Sequence, residues 1–201
     1  MKENKAAQRK KEILEASFEV FAEKGYHATK ISDIAEKLNI GHGTFYRYFK
    51  NKLDIFSEVV DQLFIKIIDS IVEEKPDIAT DLLTYREQIN RIGDKMFDVF
   101  VRDHRIAKIL FYEVLGVHPE INEKFERVLD FFDKYTEQYF VNGINKGFLK
   151  PDLDTLMIAR AVNSLIFATA RDGVLTDDPE AVIRRWKKTI ILLMLDGMAK
   201  K

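Results

Sequence analysis

Apolar residues recur along the chain at intervals of three and four, which is the period of an α-helix that buries one face. In the first such stretch Leu14, Phe18 and Phe21 form the apolar stripe, and Gly25 follows its end. Glycine tolerates the left-handed conformation that often closes a helix. The pattern predicts a first helix over residues 6–24.

Two short helices are predicted next, over residues 30–38 and 42–49. Thr29 precedes the first of them and is predicted to be its N-cap. Between the two helices Asn39 stands where the chain has to turn sharply, and asparagine tolerates a left-handed φ better than other residues with a side chain. Gly41 is predicted to cap the second short helix. Two short helices packed on a longer one are the build of a helix-turn-helix.

A long fourth helix is predicted over residues 52–74, with Asn51 as its cap. Glycine and proline then divide the remaining chain into five helical stretches, at 79–102, 104–115, 119–146, 154–173 and 179–199. No stretch alternates apolar and polar residues for long enough to predict a β-strand. The expected fold is therefore all-α with about nine helices: a three-helix domain, residues 1–52, joined by the long helix to a helical bundle, residues 53–201.

Composition narrows the class of protein. The chain has 201 residues, 46% of them hydrophobic, which is enough to build a core without cross-links. It contains no cysteine, which excludes disulfides, thiolate metal sites and cysteine nucleophiles. The longest apolar run, residues 190–195, is too short to cross a membrane, and residues 1–11 do not resemble a secretory signal. We expect a cytoplasmic protein with no membrane partner.

Charge is distributed unevenly along the chain. The net charge is −1, but residues 1–52 carry +4 and residues 53–201 carry −5. Such asymmetry is a modest indication that the N-terminal part binds nucleic acid, although most charged helix faces are only solvated.

Enzyme motifs are not found. Gly41 and Gly43 lack the third glycine of a dinucleotide-binding loop and follow no strand. The four histidines, His27, His42, His104 and His118, are scattered, and none has a glutamate three residues before it, as a di-iron bundle requires. The sequence therefore predicts no catalytic residues, no cofactor and no metal site.

The second short helix has an outer face suited to DNA. If Phe45 and Phe49 face the core, the residues left outside are His42, Gly43, Thr44, Tyr46, Arg47 and Tyr48. Their imidazole, hydroxyl and guanidinium groups can donate to phosphates and reach base edges. Lys52 is a cation at a helix start, where the helix dipole disfavours it, and a bound phosphate would resolve that conflict.

The run GYHATKISDIAEKLNIGHGTFYRYFKNK, from Gly25 to Lys52, resembles the DNA-binding signature of TetR-family regulators. The resemblance covers about residues 7–56, and its most specific parts are Ile34-Ala35, the aromatic run from Thr44 to Phe49, and Lys52. It implies a homodimeric, all-helical repressor of double-stranded operator DNA. It also implies that a small molecule bound in the C-terminal domain causes release from the operator.

The resemblance also assigns roles to single residues. It implies phosphate contacts from Tyr46 and Lys52, and base or phosphate contacts from His42, Gly43, Thr44, Arg47 and Tyr48. Thr29 and Lys30, before the second helix, complete the predicted DNA-binding set. Three positions depart from the family pattern: Lys30, Asn39 and Gly41 stand where threonine, glycine and serine are usual.

In the C-terminal part, aromatic-rich pairs on helix faces are either ordinary core or the lining of an effector cavity. The candidates for ligand binding are Phe64, Met96, Phe100, Tyr112, Phe132, Tyr135, Asn163 and Phe167. Asn163 is the leading one, because an amide among apolar neighbours needs a partner. The last two helices are apolar on more than one face, which favours a dimer interface there. The residues predicted for that interface are Ile158, Val162, Leu165 and Ile190.

These observations predict a ligand-responsive transcriptional regulator, a repressor that binds a pseudo-palindromic operator as a homodimer. Its expected effector is a small apolar or amphipathic molecule. The alternative is a helical enzyme or lipid-binding carrier with an incidental helix-turn-helix. Salt-dependent binding to duplex DNA separates the two, because it is expected only of the regulator.

Overall fold

The structure, a computed structural model, describes residues 2–174 and 176–193. In these residues it contains nine α-helices, one π-helical turn and no β-strand, which confirms the predicted all-α fold. The helices are α1 Lys2–Lys24, α2 Ile31–Lys37, α3 His42–Tyr46, α4 Lys52–Ile71, α5 Leu82–Arg102, α6 His104–Lys108, α7 Pro119–Asn145, α8 Thr155–Val174 and α9 Pro179–Ile191; the π-helical turn Ile109–Glu113 follows α6. None of the described helices is both long and apolar enough to cross a bilayer.

Some helix ends differ from the prediction for local reasons. α3 ends at Tyr46, not at residue 49, because the Tyr48 N–H bonds to the carbonyl of Phe45, three residues back. α5 begins at Leu82, not at residue 79, because the Asp81 carboxylate accepts a hydrogen bond from the Thr84 N–H at 2.8 Å and caps the helix there. α4 ends three residues early. The end predicted for α9, residue 199, lies outside the described residues.

The chain forms two compact units. The first contains the described residues up to Ile65 and the segment Lys108–Asn122. Its core is built from buried residues of α1 to α4 and of the turn after α3, namely Ile13, Val20, Phe21, Ile34, Phe45, Phe49, Ile55 and Phe56. Gly25 closes α1 with a φ of 79°, as predicted.

The segment Lys108–Asn122 is fastened to the end of α1. The ammonium of Lys108 donates to the carbonyl of Ala22, and the carboxylate of Glu113 accepts from the Tyr26 N–H at 2.8 Å. Lys108 thus supplies a donor for a carbonyl at the end of α1, and Glu113 supplies an acceptor for an N–H of the turn that follows. Neither backbone group has a partner within a helix.

The second unit contains Lys66–Ala107 and the described residues from Glu123 onward. α8 and α9 pack on each other and on α5. Glu74, just after α4, is buried. Its carboxylate accepts hydrogen bonds from Arg91 and forms an ion pair with Lys95, and both of these residues lie on α5. The Tyr139 hydroxyl of α7 donates to the Glu74 carbonyl. These contacts fix the loop between α4 and α5.

The predicted domain division after Lys52 is a functional one, and it stays a prediction. By packing alone, the first unit extends along α4 to Ile65 and includes a later segment of the chain.

Candidate functional site

The turn between α2 and α3 has the geometry that the sequence predicts. Asn39 has a φ of 51° and is the single residue other than glycine with a positive φ in the described part of the chain. Gly41 is the N-cap of α3, and its carbonyl accepts from the Thr44 N–H at 2.9 Å. Ile34 and Ala35 of α2 are buried, as a close approach of the two helices requires.

The start of α2 corrects one prediction. Lys30, not Thr29, is the N-cap residue. The Thr29 side chain is buried, and its hydroxyl donates to the Gly25 carbonyl at 2.7 Å. The cap acceptor is Asp33, whose carboxylate accepts from the Lys30 N–H at 2.8 Å and pairs with Lys24 at 2.9 Å. These hydrogen bonds hold the pKa of Asp33 below its usual value.

The segment from His42 to Tyr48 presents its polar residues outward. Phe45 and Phe49 are buried at 0% and 1% exposure and anchor the segment to the core. Around them His42, Gly43 and Arg47 are exposed, Thr44 and Tyr48 are half-buried, and Tyr46 is 55% exposed. The residues predicted to contact DNA from this segment therefore all contribute to the surface of the first unit.

Cations on this surface differ from those elsewhere in the unit. Lys10, Lys24 and Lys37 are neutralised by Glu58, Asp33 and Glu19. Arg47 and Lys50 have no ion-pair partner among the described residues, and Lys30 is also exposed. Lys50, which directly follows the aromatic run, is not among the residues predicted from the sequence. The surface offers positive charge for phosphates.

Lys52 is placed differently from what its predicted role requires. Its ammonium donates to the carbonyls of Tyr26, His27 and Thr29 at 2.7, 3.2 and 2.8 Å, and it lies 4.4 Å from the Tyr26 ring centre. An ammonium has three N–H donors, so all are used. Burial lowers the pKa of Lys52. Carbonyl oxygens, not an anion, compensate the cation at the start of α4, and the predicted phosphate contact stays untested.

The second unit contains a narrow apolar cavity. Its volume is about 60 Å³. Its walls come from the end of α4 and from α5, α7, α8 and α9. The lining includes Ile71, Ile89, Ile92, Met96, Phe97, Phe132, Tyr135, Tyr139, Val162, Asn163, Ile166, Lys187, Ile190 and Ile191. A long, thin apolar group suits such a space better than a compact polar one.

The polar groups of the cavity wall are largely paired with each other. The Asn163 amide donates to Asp133 at 2.8 Å and accepts from the Thr136 hydroxyl at 3.0 Å, which supplies the partner that a buried amide needs. The hydroxyl oxygens of Tyr135 and Tyr139 lie 3.2 Å apart. Burial raises the pKa of Tyr139. The wall is therefore electrically neutral except at Lys187.

Four of the eight predicted ligand-binding residues line this cavity, namely Met96, Phe132, Tyr135 and Asn163. Phe64 and Tyr112 belong to the first unit, and Tyr112 is exposed. Phe100 and Phe167 do not line the cavity, and the Phe167 ring packs edge-on against Phe132. Ligand contact by any of the eight stays a prediction. The aliphatic stripe of α5 was missed, because at helical spacing a cavity wall and a core look alike.

The four residues predicted for a dimer interface fall into two groups that differ in burial. Val162 and Ile190 are buried inside the protomer and line the cavity. Ile158 and Leu165 are half-buried and can still contact a partner. The predicted interface is untested, and these two residues are the part of it that a partner can reach.

Comparisons with known proteins agree with this site. The family described as "Bacterial regulatory proteins, tetR family" matches residues 13–59, which contain α2, α3 and the start of α4. The fatty acid metabolism regulator protein of Bacillus subtilis is 28% identical over 193 residues, 94% of this chain and 95% of that protein. The transcriptional repressor KstR2 of Mycobacterium tuberculosis is 26% identical over 167 residues, covering 81% of this chain and 80% of that one.

A solved structure extends the similarity to the whole fold. The crystal structure of the transcriptional regulator FadR from Bacillus subtilis in complex with stearoyl-CoA matches with a TM-score of 0.79 at 26% identity, over 92% of this chain and 97% of that one. The match includes both compact units. Residues 13–59 therefore form a DNA-binding domain of the kind found in the tetR family of bacterial regulatory proteins, and the chain is a DNA-binding transcriptional regulator.

Proposed function

We propose that this regulator is a repressor that binds an inverted-repeat operator as a homodimer and leaves it when a long-chain acyl-CoA fills the cavity of the second unit. The protein acts by binding and not as an enzyme, and its expected location is the cytoplasm. The DNA-binding part of the proposal is supported by the exposed polar residues of the segment 42–48, which Phe45 and Phe49 anchor to the core. The DNA-contacting set comprises Lys30, His42, Gly43, Thr44, Tyr46, Arg47 and Tyr48.

The proposed repressor role is supported by the similarity to KstR2, which is a transcriptional repressor. The acyl-CoA class of effector is supported by two independent observations. The cavity is narrow and almost wholly apolar, as an extended acyl chain requires. The similar structure of FadR holds stearoyl-CoA, and the similar protein from Bacillus subtilis regulates fatty acid metabolism.

The proposed homodimer is supported by the way in which such surfaces read DNA. Two recognition segments related by a two-fold axis enter successive major grooves about 34–36 Å apart, which requires an inverted repeat. Ile158 and Leu165 on α8 supply apolar surface that a second copy can cover.

In vitro selection from random duplexes tests the DNA-binding part. We expect an enriched inverted repeat whose affinity falls steeply with salt. Arg47→Ala should weaken binding to it about 5- to 150-fold, since a contact to a base is worth about 1–3 kcal/mol. Arg127→Ala, a change at an exposed arginine of α7, is the matched control and should have little effect. Selection that enriches no duplex, or affinity that does not change with salt, would contradict the proposal.

A further inference from the structure

The segment Lys108–Asn122 connects the two units along the chain. It packs with the first unit, whereas Ala107 before it and Glu123 after it belong to the second. Within the first unit, the Lys108 ammonium donates to the carbonyl of Ala22, and the Glu113 carboxylate accepts from the N–H of Tyr26. Because the chain is continuous, a shift of α6 or α7 reaches these two contacts directly.

A π-helical turn brings Lys108 and Glu113 to the same end of α1. The turn is closed by a hydrogen bond of 3.0 Å from the Val114 N–H to the carbonyl of Ile109, five residues back. Such bonds place residues five apart one turn above each other, whereas in an α-helix, with 3.6 residues per turn, they point in different directions. Both side chains can therefore reach one helix end.

Glu113 occupies the space that a side chain at residue 25 would take. Gly25 has a φ of 79°, and a Cβ atom there would lie 2.9 Å from Oε2 and 3.1 Å from Oε1 of Glu113. The carboxylate therefore lies directly over the turn after α1, where it accepts from the Tyr26 N–H at 2.8 Å.

Tyr26 is held from two parts of the chain that both continue into the second unit. Its N–H bonds to Glu113, and its carbonyl accepts from the ammonium of Lys52, at the start of α4, at 2.7 Å. α4 continues past residue 65 into the second unit. Its ring lies 4.7 Å from that of Phe56, measured between ring centres. The position of this peptide group therefore depends on both connections.

A shift of this turn changes the start of α2. The N–H and the hydroxyl of Thr29 donate to the Gly25 carbonyl at 3.2 and 2.7 Å. The next residue, Lys30, is the N-cap of α2 and belongs to the proposed DNA-contacting set. Displacement of the turn therefore displaces part of the surface that meets DNA.

We propose that Lys108 and Glu113 form a clasp through which occupancy of the cavity changes operator affinity. The two residues act through the turn 25–29 and do not touch DNA. The inference rests on the proposed function for the effector, and it assigns a route of control separate from α4. Loss of the clasp uncouples the two ligands and leaves the protein able to bind each of them.

Operator affinity of the full-length protein, with and without saturating palmitoyl-CoA below its micelle concentration, tests the clasp. The ratio of the two affinities is the coupling factor, typically about 5 to 150. We expect Glu113→Ala and Lys108→Met each to lower this factor at least about threefold and to bind palmitoyl-CoA within about twofold of the unmodified protein. Glu113→Gln keeps an acceptor for the Tyr26 N–H and should retain most of the coupling.

The matched control is Glu23→Ala, which removes an exposed glutamate from the same end of α1. Glu23 pairs with Lys37 at 3.8 Å, within the first unit, so the coupling factor should not change. Melting temperatures establish that each variant is folded. Lys108→Met, which keeps the apolar stem of the side chain, tests the proposal if Glu113→Ala does not fold.

Hydrogen exchange followed by mass spectrometry tests the same route without an effector. Because coupling is reciprocal, operator binding should alter amide exchange in residues 104–107, on the far side of the clasp. In Glu113→Ala this response should be lost, while DNA still protects the amides of α3.

The outcomes separate the two proposals. If the clasp variants keep the coupling factor of the unmodified protein, the clasp is not the route, while the proposed function stands. If palmitoyl-CoA leaves operator affinity of the unmodified protein unchanged, the proposed effector is contradicted, and hydrogen exchange decides this inference. A response in residues 104–107 that persists in Glu113→Ala, or that is missing from the unmodified protein, overturns it. Without operator binding, both proposals fail.

Discussion

Gly43 lies on the exposed side of α3, and a Cβ atom added there would meet no atom of the protein within 4 Å. Its φ is not positive, so alanine fits the backbone. Glycine at this position therefore has no explanation inside the protomer. Close approach of DNA provides one, because a methyl group would stand between the helix and a base edge or phosphate.

We expect Gly43→Ala to keep or raise the free energy of unfolding, by up to about 1 kcal/mol, because alanine favours the helix. Operator affinity should nevertheless fall about 5- to 150-fold, as overpacking in a close contact commonly costs about 1–3 kcal/mol. Urea unfolding and fluorescence anisotropy measure the two effects. Gln62→Ala, at an exposed position of α4, is the control. Undiminished operator affinity would remove Gly43 from the interface.

Lys52 shows how a residue can match a motif and still have an internal role. Its three carbonyl contacts join the turn after α1 to the start of α4. We expect Lys52→Gln to lower the free energy of unfolding by about 1–3 kcal/mol, since hydrogen bonds to a charged group are lost. The plot of log affinity against log salt should keep its slope. A slope flatter by about one unit would instead show that Lys52 contacts a phosphate.

At the scale of elements, the helices themselves could be predicted from apolar spacing, and their ends from caps. Gly25, Asn39 and Gly41 were identified because few residues tolerate the conformations required there. The association of the segment Lys108–Asn122 with the first unit could not be predicted, since it depends on Lys108 and Glu113 meeting backbone groups of α1 and its turn, about 87 residues away. The spacing of apolar residues along the chain contains no information about such a contact.

The cavity shows the same limit. Met96, Phe132, Tyr135 and Asn163 were candidates because aromatic, sulfur and amide groups are conspicuous. Ile89 and Ile92 have the spacing of any buried helix face. Only the packing of α5 with the other helices that line the cavity shows that these residues form a cavity wall and not a filled core.

The contact of α5 with Glu74 makes stability depend on pH. Hydrogen bonds lower the pKa of Glu74 below its ordinary 4.5, and those from Arg91 have a larger effect than the one from Lys95. The folded state therefore binds this proton less readily than the unfolded chain. The stabilisation is present above about pH 4.5 and is lost as the pH falls through the lowered pKa.

We expect Glu74→Gln to lower the free energy of unfolding by about 1–3 kcal/mol at neutral pH. The difference from the unmodified protein should shrink as the pH falls through the lowered pKa of Glu74. Urea unfolding at neutral pH and at a series of acid pH values measures it. Glu73→Gln, at the exposed neighbour, is the control. A difference that is equally large at acid pH would show that the charge of Glu74 does not stabilise the loop.

The whole molecule is proposed to bind its operator as a dimer. Leu165→Glu places a charge on the accessible part of the predicted interface. We expect a folded protein that sediments as a monomer at micromolar concentration and loses most of its affinity for the inverted repeat. Leu83→Glu alters a leucine that is 67% exposed on α5 and should remain dimeric. A Leu165→Glu protein that remains a dimer would place the interface elsewhere.

Control by the effector requires a link between the two sites. α4 begins at Lys52, which bonds the turn after α1, and ends at Ile71, which lines the cavity. A ligand can shift DNA binding only if it prefers the conformation with low operator affinity. Typical coupling between two sites is about 1–3 kcal/mol, or roughly 5- to 150-fold in affinity, and it acts equally in both directions.

The most direct test measures operator affinity with and without saturating palmitoyl-CoA, and palmitoyl-CoA affinity with and without saturating operator. The account predicts that each ligand weakens the other by the same factor, between about 5 and 150. Stoichiometric binding of palmitoyl-CoA that leaves operator affinity unchanged would contradict it, and would make the second unit a scaffold for dimerisation that does not control DNA binding.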